Sequence, residues 1–235
     1  MTTDQSTPTR PLPTTSLRKT ALIAGLLYLL TFVSIPTLAL YGSVHDPNYI
    51  IGPGSNSPVL VGGVLEVIVA LAGIGTAVVL YPVVMRQNEA VALGLVGSRV
   101  LEAAGILAGV ACLLTVVSLR EAGAGNGALV TGQALVALYD RINLLSQSLM
   151  PAVNDLLLGY LLYKSRLVPR VLPVLAFIGA PLLLVSDSAV LFGVVERVCA
   201  LPAIAVLPVA LFEFSLGVYL TVKGFKPSPI TADMV

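Results

Sequence analysis

Five ionisable side chains stand inside long apolar runs of this sequence: Glu66, Arg99, Glu102, Asp155 (preceded by Asn154) and Glu213. A charge within a run long enough to cross a bilayer is costly. Such a residue is usually paired, lines a polar cavity, or carries protons or ions. Four carboxylates stand against one guanidinium. Arginine keeps its proton, whereas a buried carboxyl can take one up. Arg99 can hold one or two of these groups ionised, and the rest must be protonated, hydrated or bound to a cation. The chemistry on offer is a proton or cation relay, or a pocket for a small polar or cationic substrate. The plainer alternative is an ion-pair network that fixes helix register.

Spacing supports a common location. Glu102 follows Arg99 by three residues and shares its helix face one turn on. At about 1.5 Å of rise per residue, Arg99 lies about 16 Å from Asn88, Asp155 about 14 Å from Lys164, and Glu213 about 15 Å from Lys223. Three helices therefore carry charge at one level near the midplane, with Glu66 nearer the level of Glu102. Convergence of all four carboxylates on Arg99 is the expectation.

The elements that position these groups follow from composition. Of 235 residues, 57% are hydrophobic and 11% are charged, against roughly 25% charged in soluble domains. Such a chain has too little polar surface to stay wet as a soluble monomer. The formal net charge of +1 supplies no basic patch for nucleic acid. With no Trp present, interfacial belts rest on Tyr and Phe. A span needs roughly 20 apolar residues, and six segments qualify, at about 19–41, 58–84, 89–119, a fourth ending at Tyr163, 168–190 and 198–222. The fourth begins somewhere between Gly132 and Leu144. Residues 129–143 before it read as an amphipathic surface helix or as an extension of the span, with Pro151 kinking it. The fold class is all-α, a polytopic bundle of six transmembrane helices. Residues 1–18, rich in Thr, Ser and Pro, read as a disordered N-terminus, residues 19–223 as one membrane domain, and residues 224–235 as a disordered tail. The first apolar run lacks a cleavage site and reads as an uncleaved span.

Orientation follows from Lys and Arg. With both termini cytoplasmic, the inner segments carry Arg10, Arg18, Lys19, Arg86, Lys164, Arg166, Arg170, Lys223 and Lys226, and the outer ones only Arg120, Arg141 and Arg197, a clear positive-inside bias. The inner-surface basic turn Lys164, Arg166, Arg170 faces anionic lipid headgroups or simply sets topology. Prolines 36, 151, 181, 202 and 208 fall inside spans, as do Gly62, Gly63, Gly73, Gly75 and the Gly105–Gly109 pair. These permit broken helices around a site or ordinary close packing.

Other signals are weak. His45 is the single histidine and reads as a loop residue. No metal-ligand spacing occurs, no cofactor is expected, and a serine–histidine dyad lacks a histidine at membrane depth. GPGSNS at 52–57 reads as a flexible outer loop. Cys112 and Cys199 read as small packing residues.

Three stretches carry a resemblance: SRVLEAAGILAG (98–109), GYLLYKSRLVPRVLPVLAFIGA (159–180) and LPVALFEFSLGVYLTVKGFK (207–226). The chain resembles a family of bacterial six-span proteins catalogued as domain of unknown function 4386, from about Thr20 to Lys226. The matching features are Arg99 and Glu102 in span three, Ser165, Arg166, Pro169 and Arg170 in the basic turn, and Glu213 followed by Lys223, Gly224 and Phe225 at the last span. Val171 stands where similar proteins carry Trp. The resemblance implies the topology and groups Arg99, Glu102 and Glu213 as a set, and it implies no activity. The leading functional expectation is a small transporter or permease-like protein of the bacterial cytoplasmic membrane. The alternatives are a structural or regulatory membrane protein that binds a partner or lipid, and an intramembrane acid–base enzyme.

Overall fold

The structure is a computed structural model that describes residues 14–197 and 199–234. Of the N-terminal segment expected to be disordered, residues 1–13 lie outside the described residues, and Thr14–Arg18 already belong to the first helix. The described chain is helical, and no strand occurs among the described residues.

Three apolar runs fold as single long helices: α3 (Ser57–Val84), α4 (Glu89–Glu121) and α7 (Val171–Leu191). Asn88 caps α4, its side chain accepting from the Val91 N–H at 3.1 Å. The first and last runs are broken. The first comprises α1 (Thr14–Thr31), a 3₁₀ turn at Phe32–Ser34 and the short α2 (Thr37–Leu40), with Pro36 between them. The last comprises α8 (Ala200–Ala205) and α9 (Leu207–Val222), which meet at Val206 with Pro208 in the first turn of α9. Proline lacks the donor that continues a helix, so it sits naturally at such restarts.

The fourth run resolves the choice left open by sequence. Helix α5 (Leu129–Asn143) passes through a π-helical turn, Leu144–Ser148, directly into α6 (Leu149–Ser165). It is an extension of the span, packed along α4 throughout, and not a separate surface helix. Pro151 follows the π turn by three residues. Its ring crowds the carbonyl one turn back, and a locally widened turn is a common way to absorb that.

Five of these runs are long and apolar enough to cross a membrane, and α6 completes a set of six. Each packs on its neighbours in sequence, and α1 packs on α9, so the bundle closes into a ring: α1, α3, α4, α6, α7, α9. Its solvent logic is that of a membrane protein. Leu71, Leu93, Leu101 and Val185 face outward at 60% exposure or more, while Arg99, Glu102 and Asp155 are buried. Water would penalise that arrangement and lipid favours it.

The two ends differ. The end carrying Lys164, Arg166 and Arg170, all three exposed, is filled by Leu80, Leu95, Leu158, Leu162, Leu216 and Leu220. At this basic end the described residues after α9, 224–234, are placed against the bundle. Lys226 N–H donates to Leu167 O at 2.7 Å, the Ser228 hydroxyl donates to Ser165 O, and Thr231 is buried. The far end is built from the 41–56 loop, α5 and the 192–197 loop. Here the expected flexible loop is pinned: Arg120 donates to Gly52 O at 2.9 Å and Gly54 O at 2.7 Å and lies over the Tyr49 ring. Cys112 and Cys199 are unpaired thiols.

Candidate functional site

The ring surrounds Arg99. It projects from α4, 3% exposed, and its two terminal nitrogens are committed to different helices. One donates to Glu102 Oε2 at 3.0 Å, one turn along α4. The other donates to Glu213 Oε1 on α9 at 2.7 Å, and reaches the Tyr28 hydroxyl of α1 at 3.5 Å. The guanidinium also lies 5.6 Å from the centre of the Tyr28 ring. The 2.7 Å bond to Glu213 is of the short, strong charge-assisted kind. Together these contacts tie three of the six helices to one side chain.

Asn154 on α6 adds a fourth helix, its amide donating to Glu102 Oε2 at 2.8 Å. Its neighbour Asp155 is fully buried, and neither of its carboxyl oxygens has a partner. Arg99, Glu102 and Glu213 are the charged groups whose fields reach it, yet no ion pair within 4.0 Å joins Asp155 to Arg99. The expected convergence is therefore partial. Two carboxylates touch the guanidinium and a third stands beside them.

Glu66 is elsewhere. On α3, 1% exposed, it accepts from the Tyr139 hydroxyl at 2.9 Å and from the Tyr41 hydroxyl at 3.2 Å. The two tyrosine rings meet edge to face at 5.5 Å. Gly62, one turn earlier on α3, makes this clasp fit, because a Cβ there would lie 2.8 Å from Tyr41 Cζ. The basic turn residues Lys164, Arg166 and Arg170 are exposed at the bundle end, at and beyond the end of the helix that carries Asn154 and Asp155; Arg170 covers the Tyr163 ring at 4.9 Å.

A cavity of about 230 Å³ opens on the arginine centre, lined by Arg99, Glu102, Glu213 and the broken segment of the first run. A larger cavity of about 910 Å³ occupies the far end between that segment, α5 and the 192–197 loop. The two share Ser34, Ile35 and Gln147. Thus the breaks expected from proline border the site: the 3₁₀ turn forms one wall, and Gln147 of the π turn and Pro151 form another.

Sequence reasoning missed Asp187. It is 2% exposed in α7, where Ser148 donates to its Oδ1 at 2.9 Å while Oδ2 has no partner. The signal was present, since an acidic residue bracketed by Ser186 and Ser188 interrupts an apolar run. Among the described residues no group of three or more His, Cys, Asp or Glu could hold a metal ion.

Fold and site together define a class: a polytopic helical membrane protein organised round a buried arginine–carboxylate centre. A family model described as Domain of unknown function (DUF4386) matches residues 23–224. The chain belongs to that family, and the matched stretch contains the whole centre. No curated protein and no solved structure matches the chain.

Proposed function

We propose that this chain is a small permease-like transporter of the bacterial cytoplasmic membrane, with its basic end and both termini in the cytoplasm. A small polar or cationic solute reaches the arginine centre through the far-end cavity, and the carboxylates act as a charge relay. Arg99 is the fixed cation; Glu213 and Asp155 are the groups that exchange protons. The observation that carries this reading is the chamber beside Arg99, Glu102 and Glu213, which shares Ser34, Ile35 and Gln147 with the larger far-end cavity. A centre that only locked helices together would need no space beside it. The tightly packed leucines at the basic end suit an alternating-access cycle caught with one side shut.

Proteoliposomes loaded with a pH-sensitive dye and challenged with small polar and cationic solutes test this. Flux that depends on pH and disappears in Glu213→Gln, with helicity and monodispersity retained, supports it. Unchanged flux in that variant overturns the relay. Loss of fold or abundance without any flux to lose supports the second reading, a bundle locked by its charges, which the double commitment of Arg99 favours.

A further inference from the structure

We infer that the ligand of the central cavity is a small organic monocation with an apolar body. This rests on the transport reading for its purpose but not for its chemistry. The cavity is lined by one positive and two negative side chains, Arg99, Glu102 and Glu213, so its wall is net anionic by one charge when all three are ionised. The single charge of Arg99 is already met by two carboxylates. Each terminal nitrogen donates to one of them, Glu102 and Glu213, and the side chain is 3% exposed, which leaves little positive charge to draw in an anion. The carboxylates are less committed. Glu102 is 6% exposed, yet Oε2 alone receives both Arg99 and Asn154, which leaves Oε1 outside these bonds. Glu213 uses Oε1 for Arg99, which leaves Oε2. Each residue borders the chamber and retains an unused acceptor. An ammonium or guanidinium head would satisfy both the acceptors and the surplus charge.

The rest of the wall fits an organic body more than a hydrated metal ion. Apart from the polar Thr31, Ser34 and Gln147, it is mostly apolar, with Phe32, Ile35, Val69, Ala70, Ala103 and Ile106. Hard dications need several oxygens converging at close range to replace their water, and among the described residues no group of three or more His, Cys, Asp or Glu could hold a metal ion. Phe32 is held edge to face with Phe214 at 5.5 Å, so one aromatic ring has a fixed orientation at the chamber. A volume of about 230 Å³ corresponds to about eight waters at roughly 30 Å³ each, below the range of drug-sized pockets. One ring with a charged arm is an appropriate size.

Three probes of nearly the same shape separate charge from shape: benzylammonium, benzyl alcohol and benzoate. Purified full-length protein in detergent is titrated with each by calorimetry and thermal shift. Benzylammonium should bind at least tenfold more tightly than the alcohol, and benzoate should not bind. Glu213→Gln should lower benzylammonium affinity at least tenfold. Should that variant fail to fold, Ile35→Trp, at a 61% exposed position bordering both cavities, should slow benzylammonium association without changing the charge preference. Equal binding of the three probes, preference for benzoate, or binding of none overturns the inference. Selective benzylammonium binding without flux in vesicles would retain this ligand class while removing the transport reading. Flux of neutral or anionic solutes without such binding would do the reverse.

Discussion

Arg99 and Glu213, 114 residues apart in sequence, meet at 2.7 Å inside the helix ring. This bond joins α4 to α9, two elements that are not neighbours in the ring. Breaking it from the cationic side leaves Glu102, buried, and Glu213, partly buried, both uncompensated. Removing one partner of a buried pair typically costs about 3–5 kcal/mol, whereas neutral replacement of the whole set is often tolerated. Arg99→Met should therefore lower the melting temperature sharply in detergent, and adding Glu102→Gln and Glu213→Gln should recover most of the loss. An Arg99→Met protein that melts with the parent would mean that these pairs do not hold the ring.

The Tyr41–Glu66–Tyr139 clasp depends on Gly62. A side chain at that position would displace the Tyr41 ring, with Cζ only 2.8 Å from a Cβ, and with it one of the two hydroxyls that satisfy Glu66. Gly62→Leu should cost about 1–3 kcal/mol through overpacking. Tyr41→Phe removes the hydrogen bond and leaves the ring, so it should cost less. Thermal unfolding of the two variants side by side checks the order, and a more damaging Tyr41→Phe would reverse the assignment.

The outline of this molecule was legible in sequence because lipid forces it. Runs of span length cannot hide, and Arg99 with Glu102 at a three-residue spacing must share a helix face. Counting rise placed Arg99 and Glu213 at one level, but level does not give direction around a ring. Depth puts Glu66 near the level of Glu102, while α3 turns it toward α5 and the first loop, where tyrosines receive it. The tyrosines themselves carried no signal, because an apolar run tolerates Tyr without explanation. Residues 129–143 looked too polar for a span. They extend one because their polar groups, Asp140 and Asn143, meet Arg197 and His45 across the far-end cavity. The tail was short and polar, and nothing local foretold that Lys226 and Ser228 would satisfy carbonyls left by the basic turn.

His45 and Asp140 supply the last prediction. The His45 Nδ1–H donates to Tyr41 O at 2.8 Å, and Nε2 faces Asp140 Oδ1 at 3.1 Å. Both ring nitrogens face acceptors, and only the imidazolium can donate to both. The bond to Asp140 raises the His45 pKa above its ordinary value, with the Tyr41 carbonyl and the charge of Asp140 adding to this, against partial burial and Arg197, which lower it. The other charged group packed here is Arg197, which donates to Asp140 O at 2.9 Å. Because the folded-state pKa is the higher one, the contact contributes fully below the unfolded pKa, about 6.5, and is lost as pH rises through the folded value. The pair is half-exposed, so its contribution should stay below about 1 kcal/mol. NMR titration of the single histidine should give a midpoint above that of a free imidazole, and Asp140→Asn should bring it down. The melting temperature of the parent should fall slightly as pH rises past that midpoint, and His45→Gln should remove that slope. A midpoint at or below the free value, unmoved by Asp140→Asn, would show that the first loop and α5 are not joined by this charge at the mouth of the far-end cavity.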